Sequence, residues 1–403
     1  MKQLLTYLWR WTFWNISRVF CFIWLRPKFN MEVRDADQKI PRRPFIMVSN
    51  HGTFFDPWIV GHLSSYPLSI MMNEEGFRAP RFTRWYLRNI GAYPKKKGES
   101  DIKAMKYTLI TLKEGYPVLI FPEGQTTWDG QTQPIYGGIE SIISRAKLPL
   151  VMMNVSGNFM SRPWWSESFR KGKVIVRRRV LSPQELAAMD RATLRDTIIS
   201  FIRNNDLFNP ELENVVFEGP PATVGLNRFV WMCRSCGAED GLCPSDDGVA
   251  CSACGATWKM DSRFRFTPMG DRAAEIGNLH DWSIWHKDMV KKKISRAAQD
   301  ELLTSSDGVH LCDVTEDGQY PTLAVGRLAL TRSQLSFTTD NGDPLILPVE
   351  KVNDYVFQLK TIFECRVDGK VYKFRIENGS PMKWVYYFRY LNNYAECEAR
   401  GYI

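Results

Sequence analysis

The first 30 residues of this 403-residue chain hold no acidic side chain, and no uncharged apolar run there reaches the roughly 18 positions of a membrane-spanning helix, since Arg10 and Arg18 interrupt it. The same segment lacks the continuous apolar region and small-residue cleavage site of a secretory signal. What it has is Leu, Trp and Phe interspersed with Lys2, Arg10, Arg18, Arg26 and Lys28. Gln3, Thr6, Arg10 and Ser17 fall close together around a helix and make a polar stripe, although Phe13 and Trp14 intrude on it; most of the remaining circumference is apolar. Such a helix is expected to lie in the plane of a membrane interface, peripheral and on the cytoplasmic face, with its basic residues toward lipid phosphates. The alternative is a helix packed on the core of its own domain.

Hydrophobic residues make up 44% of the chain and charged residues 24%, enough for packed cores, and the length calls for two or three domains. A net charge of +9 suits nucleic acid, an anionic membrane surface or phosphorylated substrates. The 14 Trp beside Lys and Arg suit a membrane interface as well as a nucleic-acid site. Composition alone does not choose among these.

Two short blocks carry the chemistry. Apolar Phe45 to Val48 reads as a buried strand that runs into Asn50-His51-Gly52-Thr53-Phe54-Phe55-Asp56-Pro57. Asp56-Pro57 is a helix start, so a carboxylate returns to the strand end five residues after the imidazole. A carboxylate on one ring nitrogen fixes the tautomer and steadies the imidazolium, leaving the other nitrogen to take a proton from a hydroxyl. The alternative is a helix cap and an unrelated loop histidine. A second apolar run, Val118 to Phe121, leads into Phe121-Pro122-Glu123-Gly124-Gln125-Thr126-Thr127. There Gly124 lets a ligand approach the backbone, and Glu123 can accept hydrogen bonds from hydroxyls.

A His-x4-Asp block followed by a Phe-Pro-Glu-Gly block, each at a strand end and in this order, resembles the glycerophospholipid acyltransferases of the lysophosphatidic acid acyltransferase type over about residues 35 to 205. The resemblance implies an α/β acyltransferase domain, a mixed sheet flanked by helices. It further implies transfer of a fatty acyl group from acyl-CoA or acyl-carrier protein to the hydroxyl of a lysophospholipid such as 1-acyl-glycerol-3-phosphate. His51 would be the general base, Asp56 its partner, and Glu123 and Gly124 would line the acceptor site. Lys97, aligned with the family's phosphate-holding Arg and with Lys96 beside it, would bind the acceptor's anion without the bidentate fork of Arg. Thr126 stands where the family usually has a further Arg. That departure motivates a second reading, a non-catalytic lipid-binding or scaffolding protein on the same fold. Arg81, Arg84 and Arg88 share a helical face that is either solvated or turned to phosphate.

The rest divides by composition. Residues 1–30 are the interface helix, 31–205 the acyltransferase domain and 206–228 a Pro-, Asn- and Gly-rich linker. In 229–262, Cys233-x-x-Cys236-Gly and Cys251-x-x-Cys254-Gly have the spacing of a four-thiolate zinc ribbon, a structural site with no open position. A helical connector is expected over 263–304, in which His286 beside Trp282 and Trp285 reads as packing. Strands and a closing helix over 305–403 resemble a pleckstrin-homology or GRAM-like barrel. Glu239, Asp240, Asp246 and Asp247 make the ribbon a poor nucleic-acid surface, so membrane lipid and an acyl thioester are the expected partners.

Overall fold

The computed structural model describes residues 2–35, 37–73, 77, 81–95, 102–135, 137–315, 319–339, 342 and 344–392. The chain forms two compact units, Met1–Trp164 with Ser168–Pro220, and Trp165–Glu167 with Pro221–Ile403.

In the first unit, seven strands form one mixed sheet: β1 Met31–Val33, β2 Ile46–Ser49, β3 Ser69–Asn73, β4 Tyr93–Lys95, β5 Val118–Ile120, β6 Leu150–Ser156 and β7 Val174–Leu181. Their order is β1-β7-β6-β2-β5-β3-β4. β6 and β7 are antiparallel and every other neighbouring pair is parallel. The central strands are apolar throughout because both faces are covered. Ile46, Val48, Val118, Ile120, Leu150 and Met152 face the helices Ile102–Lys113, Ile139–Ala146 and Arg191–Ile202. The alternate residues Met47, Leu119, Val151 and Met153 face Trp14, Leu25, Phe29, Ile59 and Leu87. That period of two also separates the three arginines of β7. Arg178 is buried and Arg179 exposed.

The N-terminal helix Lys2–Phe20 continues through a wider turn at Cys21–Leu25 to Phe29. Two of its basic residues turn toward the domain and not outward as expected. Arg10 points into the domain, donating to Ser69 Oγ at 3.0 Å with its guanidinium 3.9 Å from the Tyr116 ring centroid. Arg18 donates from Nε to the His62 carbonyl at 2.8 Å. Leu4, Leu5, Leu8, Trp11, Ile16, Val19, Phe20, Phe22 and Ile23 are left exposed. The physical reason is that a guanidinium can satisfy buried carbonyls and stack on a ring, whereas the broad apolar face exceeds what the domain can cover. No helix among the described residues is long and apolar enough to cross a membrane.

The segment expected as a linker is packed. Asp206, Leu212 and Phe217 are buried in the first unit, and Ala222 and Leu226 in the second, so the division falls at Pro220-Pro221.

In the second unit, β8 Leu242–Pro244, β9 Gly248–Cys251, β10 Thr257–Met260 and β11 Phe266–Met269 form an antiparallel sheet beside the helix Leu279–Arg296. His286 is buried there against Trp231, and burial depresses its pKa to about 3. Seven antiparallel strands follow: β12 Thr304–Cys312, β13 Thr322–Leu330, β14 Gln334–Thr338, β15 Leu345–Pro348, β16 Val352–Gln358, β17 Ile362–Val367 and β18 Lys370–Arg375. Their order is β15-β14-β13-β12-β18-β17-β16, and the helix Pro381–Asn392 buries Trp384 and Phe388.

Candidate active site

β2 and β6 are locked together just beyond their shared ladder. The Asn50 amide donates to the Val155 carbonyl and accepts from the Val155 N–H, both at 2.7 Å. The next residue, His51, therefore leaves the sheet at a fixed point. Its N–H donates to Glu123 Oε1 at 2.5 Å, and its carbonyl accepts from Thr127 N at 2.7 Å. The 121–127 segment thus holds the His51 peptide from both sides.

Gly52 to Phe55 turn the chain into the helix Asp56–Gly61. Asp56 Oδ2 lies 2.9 Å from His51 Nδ1 and accepts from Thr53 N at 2.8 Å. Oδ1 accepts from Thr53 Oγ1 at 3.0 Å and from Asn158 Nδ2 at 2.6 Å. Asp56 is fully buried, and four polar contacts surround its two oxygens. A carboxylate at this nitrogen can accept a proton from Nδ1, which leaves the Nε2 lone pair free. The imidazole stacks on Phe121 with centroids 4.2 Å apart and keeps 17% of its side-chain surface open. The arrangement can remove a proton from a group brought to that open edge.

Glu123 reaches back from the 121–127 segment to the His51 peptide. Its side chain is fully buried; Oε1 holds the His51 N–H and Oε2 accepts from Gln133 N at 2.6 Å. Burial raises its pKa well above the carboxylate range, against the lowering effect of those two N–H donors. Both Glu123 oxygens are thus engaged by backbone N–H groups, of His51 and Gln133. Gly124, at φ +71° and exposed, is open to a ligand at this turn. Thr126 is half-buried on it. Lys96 and Lys97 lie outside the described residues; Lys95, at the end of β4, is half-exposed.

The structure adds Asn158 and Asp206, which sequence reasoning passes over. Asn158 follows a Gly-Asn turn signal after β6, and Asp206 falls in the stretch read as linker. The buried Asp206 accepts from Gly157 N and from Asn204 Nδ2, at 2.8 and 2.7 Å, and from Phe159 N and Met160 N. Burial pushes its pKa up to about 6, with the N–H donors opposing.

In the second unit, the Sγ atoms of Cys233, Cys236, Cys251 and Cys254 all lie within 4.8 Å of one another. The Cys233–Cys254 and Cys236–Cys251 separations are 3.8 Å, too long for a disulfide and close to the edge of a tetrahedron of ~2.3 Å zinc–sulfur bonds. Gly237 and Gly255 both sit at φ +75°, which bends each knuckle so that N–H groups of Ser235 and Cys236 face Cys233 Sγ, and those of Ala253 and Cys254 face Cys251 Sγ. The donor set fits zinc.

The strand-end histidine, its buried carboxylate and the supporting glutamate lie within residues 30–156, which match the Acyltransferase family model. These residues are similar to an acyltransferase domain. Among curated proteins the chain is 25% identical over 157 residues to a chloroplastic 1-acyl-sn-glycerol-3-phosphate acyltransferase of Brassica napus, covering 38% of this chain and 44% of that protein. Proteins of the same description are 28% identical in Chlamydomonas reinhardtii (36% of this chain, 45% of that one) and 27% identical in Streptococcus pneumoniae (30% and 45%). The chain thus spans less than half the length of these relatives. The crystal structure of the 1-acyl-sn-glycerophosphate acyltransferase PlsC from Thermotoga maritima aligns with a TM-score of 0.41 at 20% identity, over 48% of this chain and 76% of that one.

Proposed function

We propose that the protein is a membrane-associated O-acyltransferase that moves a fatty acyl group from an acyl thioester to the hydroxyl of a lysophospholipid such as 1-acyl-glycerol-3-phosphate. The observation that carries the reading is the 2.9 Å contact between His51 Nδ1 and a fully buried, four-fold hydrogen-bonded Asp56, with the imidazole itself still partly exposed. His51 Nε2 takes the acceptor's hydroxyl proton as its oxygen attacks the thioester carbonyl. The C–S bond of the tetrahedral adduct then breaks, and the thiolate leaves with the proton held by the imidazolium. Lys97, with Lys96, holds the acceptor's anion, and Gly124 lines its path. The names of the curated relatives support 1-acyl-glycerol-3-phosphate as the acceptor class.

The exposed apolar face of the N-terminal helix supports peripheral membrane attachment. Phe54 of the catalytic loop (64% exposed) and Phe82 and Trp85 of the helix Arg81–Ile90 add to this apolar surface. A structural zinc held by Cys233, Cys236, Cys251 and Cys254 fits the second unit, where the sheet order and closing helix support a pleckstrin-homology or GRAM-like fold. Thiolate ligands call for a reducing compartment and hence the cytoplasmic face.

The test is release of free thiol from acyl-CoA, or from acyl-carrier protein in a parallel arm, by the purified protein with and without 1-acyl-glycerol-3-phosphate. Acceptor-dependent release that falls at least a thousandfold in a folded His51→Ala variant is expected. Undiminished turnover by that variant overturns the role of His51, and inert wild type with retained lysolipid binding favours the non-catalytic reading.

A further inference from the structure

Three of the four donors to Asp56 come from its own turn, residues 51–53, and move with it. The fourth, Asn158, arrives from the far end of β6 across 102 residues of sequence. We propose that Asn158 is a positioning residue for the His51–Asp56 pair, acting through Asp56. The inference rests on the acyltransferase reading above.

The amide has little freedom. Asn158 Oδ1 accepts from Phe159 N at 3.0 Å, so Nδ2 is the end that meets Asp56. Both side chains are buried. Gly157 at φ +81° begins the turn, and a Cβ there would meet the Lys173 carbonyl oxygen at 2.0 Å. Asp206 grips the turn by taking the N–H groups of Gly157, Phe159 and Met160. The same amide accounts for the glycine inside the His-x4-Asp block: a Cβ on Gly52 would lie 2.5 Å from Asn158 Nδ2 and Oδ1. Asn158 therefore occupies the space that a side chain at position 52 would fill, and it ties the carboxylate to the sheet that carries His51.

A buried carboxylate short of one donor either rotates toward another or takes up a proton. In both cases its hold on the Nδ1 proton weakens, and the imidazole is free to populate the other tautomer.

The experiment is nitrogen NMR on the full-length protein with labelled histidine, its His51 signal assigned through His51→Ala, together with steady-state kinetics. Wild type is expected to show His51 with its proton on Nδ1. Asn158→Leu removes the donor at similar volume, Asn158→Asp removes it isosterically, and Gly52→Ala displaces the amide without changing residue 158. In each folded variant a mixture of His51 tautomers is expected, with kcat lower by 10- to 100-fold and KM within threefold. A purely structural role would lower the melting temperature and leave the His51 tautomer alone. Wild-type tautomer and kcat within twofold in the variants that fold overturn the proposal. If wild type itself transfers no acyl group while the His51 signal still responds to Asn158, the functional reading fails and the positioning role stands.

Discussion

What a carboxylate can bind depends on what its oxygens already hold. Glu123 stands in the block that, on chemistry alone, offers an acceptor for substrate hydroxyls, yet its oxygens are occupied by the backbone of His51 and Gln133. Removing it in Glu123→Ala leaves two buried N–H groups unmade and is expected to cost about 2–5 kcal/mol. The measurement is a urea unfolding curve; an unchanged midpoint would return Glu123 to the substrate. Asp206 gives a pH test. Its folded pKa of about 6 lies above the unfolded value of 3.8, so the folded state holds its proton more tightly. Its stabilising contribution is fully present below about pH 4 and is lost as pH rises through 6, a swing of about 3 kcal/mol. The stability of wild type minus that of Asp206→Asn should fall accordingly between pH 4 and 7, and a flat difference would refute the raised pKa.

At the scale of elements, the N-terminal helix shows how little a helical wheel says about which side faces the protein. Arg10 lies on the polar stripe with Gln3, Thr6 and Ser17 in sequence, and the domain receives Arg10 and Arg18 with a ring, a hydroxyl and a carbonyl. Replacing Leu8, Trp11, Phe20 and Ile23 together by Ser is expected to reduce binding to anionic vesicles at least tenfold, measured by flotation. Arg10→Met should instead lower thermal stability. Vesicle binding unaffected by the four serines would remove the proposed attachment. β12 and the β16–β17 turn were hidden for a local reason. β12 carries Ser305, Ser306, Asp307 and Gly308, turn residues in composition, and accommodates them with a bulge between Ser306 and Val309. The β16–β17 turn places Leu359 and Lys360 at positive φ, where neither residue type signals a turn.

At the scale of the whole molecule, the ribbon and the C-terminal sheet are one folding unit, although their compositions read as two modules. Glu239 and Asp240, which look like surface acids in the sequence, receive the buried Lys383 of the closing helix, and Glu239 also takes Tyr387 Oη at 2.6 Å and Thr304 Oγ1 at 2.5 Å. Zinc removal should therefore propagate, since a loosened ribbon leaves Lys383 buried without its partners, a loss of about 3–5 kcal/mol. The expected outcome is about one zinc per chain by elemental analysis, and on chelation a fall of at least 10 °C in the second unit's calorimetric transition. No bound metal, or a transition indifferent to chelator, would sink this assignment.

By itself the sequence determined the alternating apolar runs that make the strands of the first unit, the His51 and Asp56 positions at a strand end and a helix start, and the paired Cys-x-x-Cys knuckles. These are legible because each depends on residues within a few positions of one another. Only the tertiary structure decided that Asn158 completes the Asp56 shell, that Glu123 turns inward to the His51 backbone, that Arg10 and Arg18 face the protein, and that Glu239 and Asp240 anchor Lys383. Each of those depends on which distant backbone or side-chain group fills the remaining hydrogen-bonding capacity of a buried polar atom, and packing alone selects that partner.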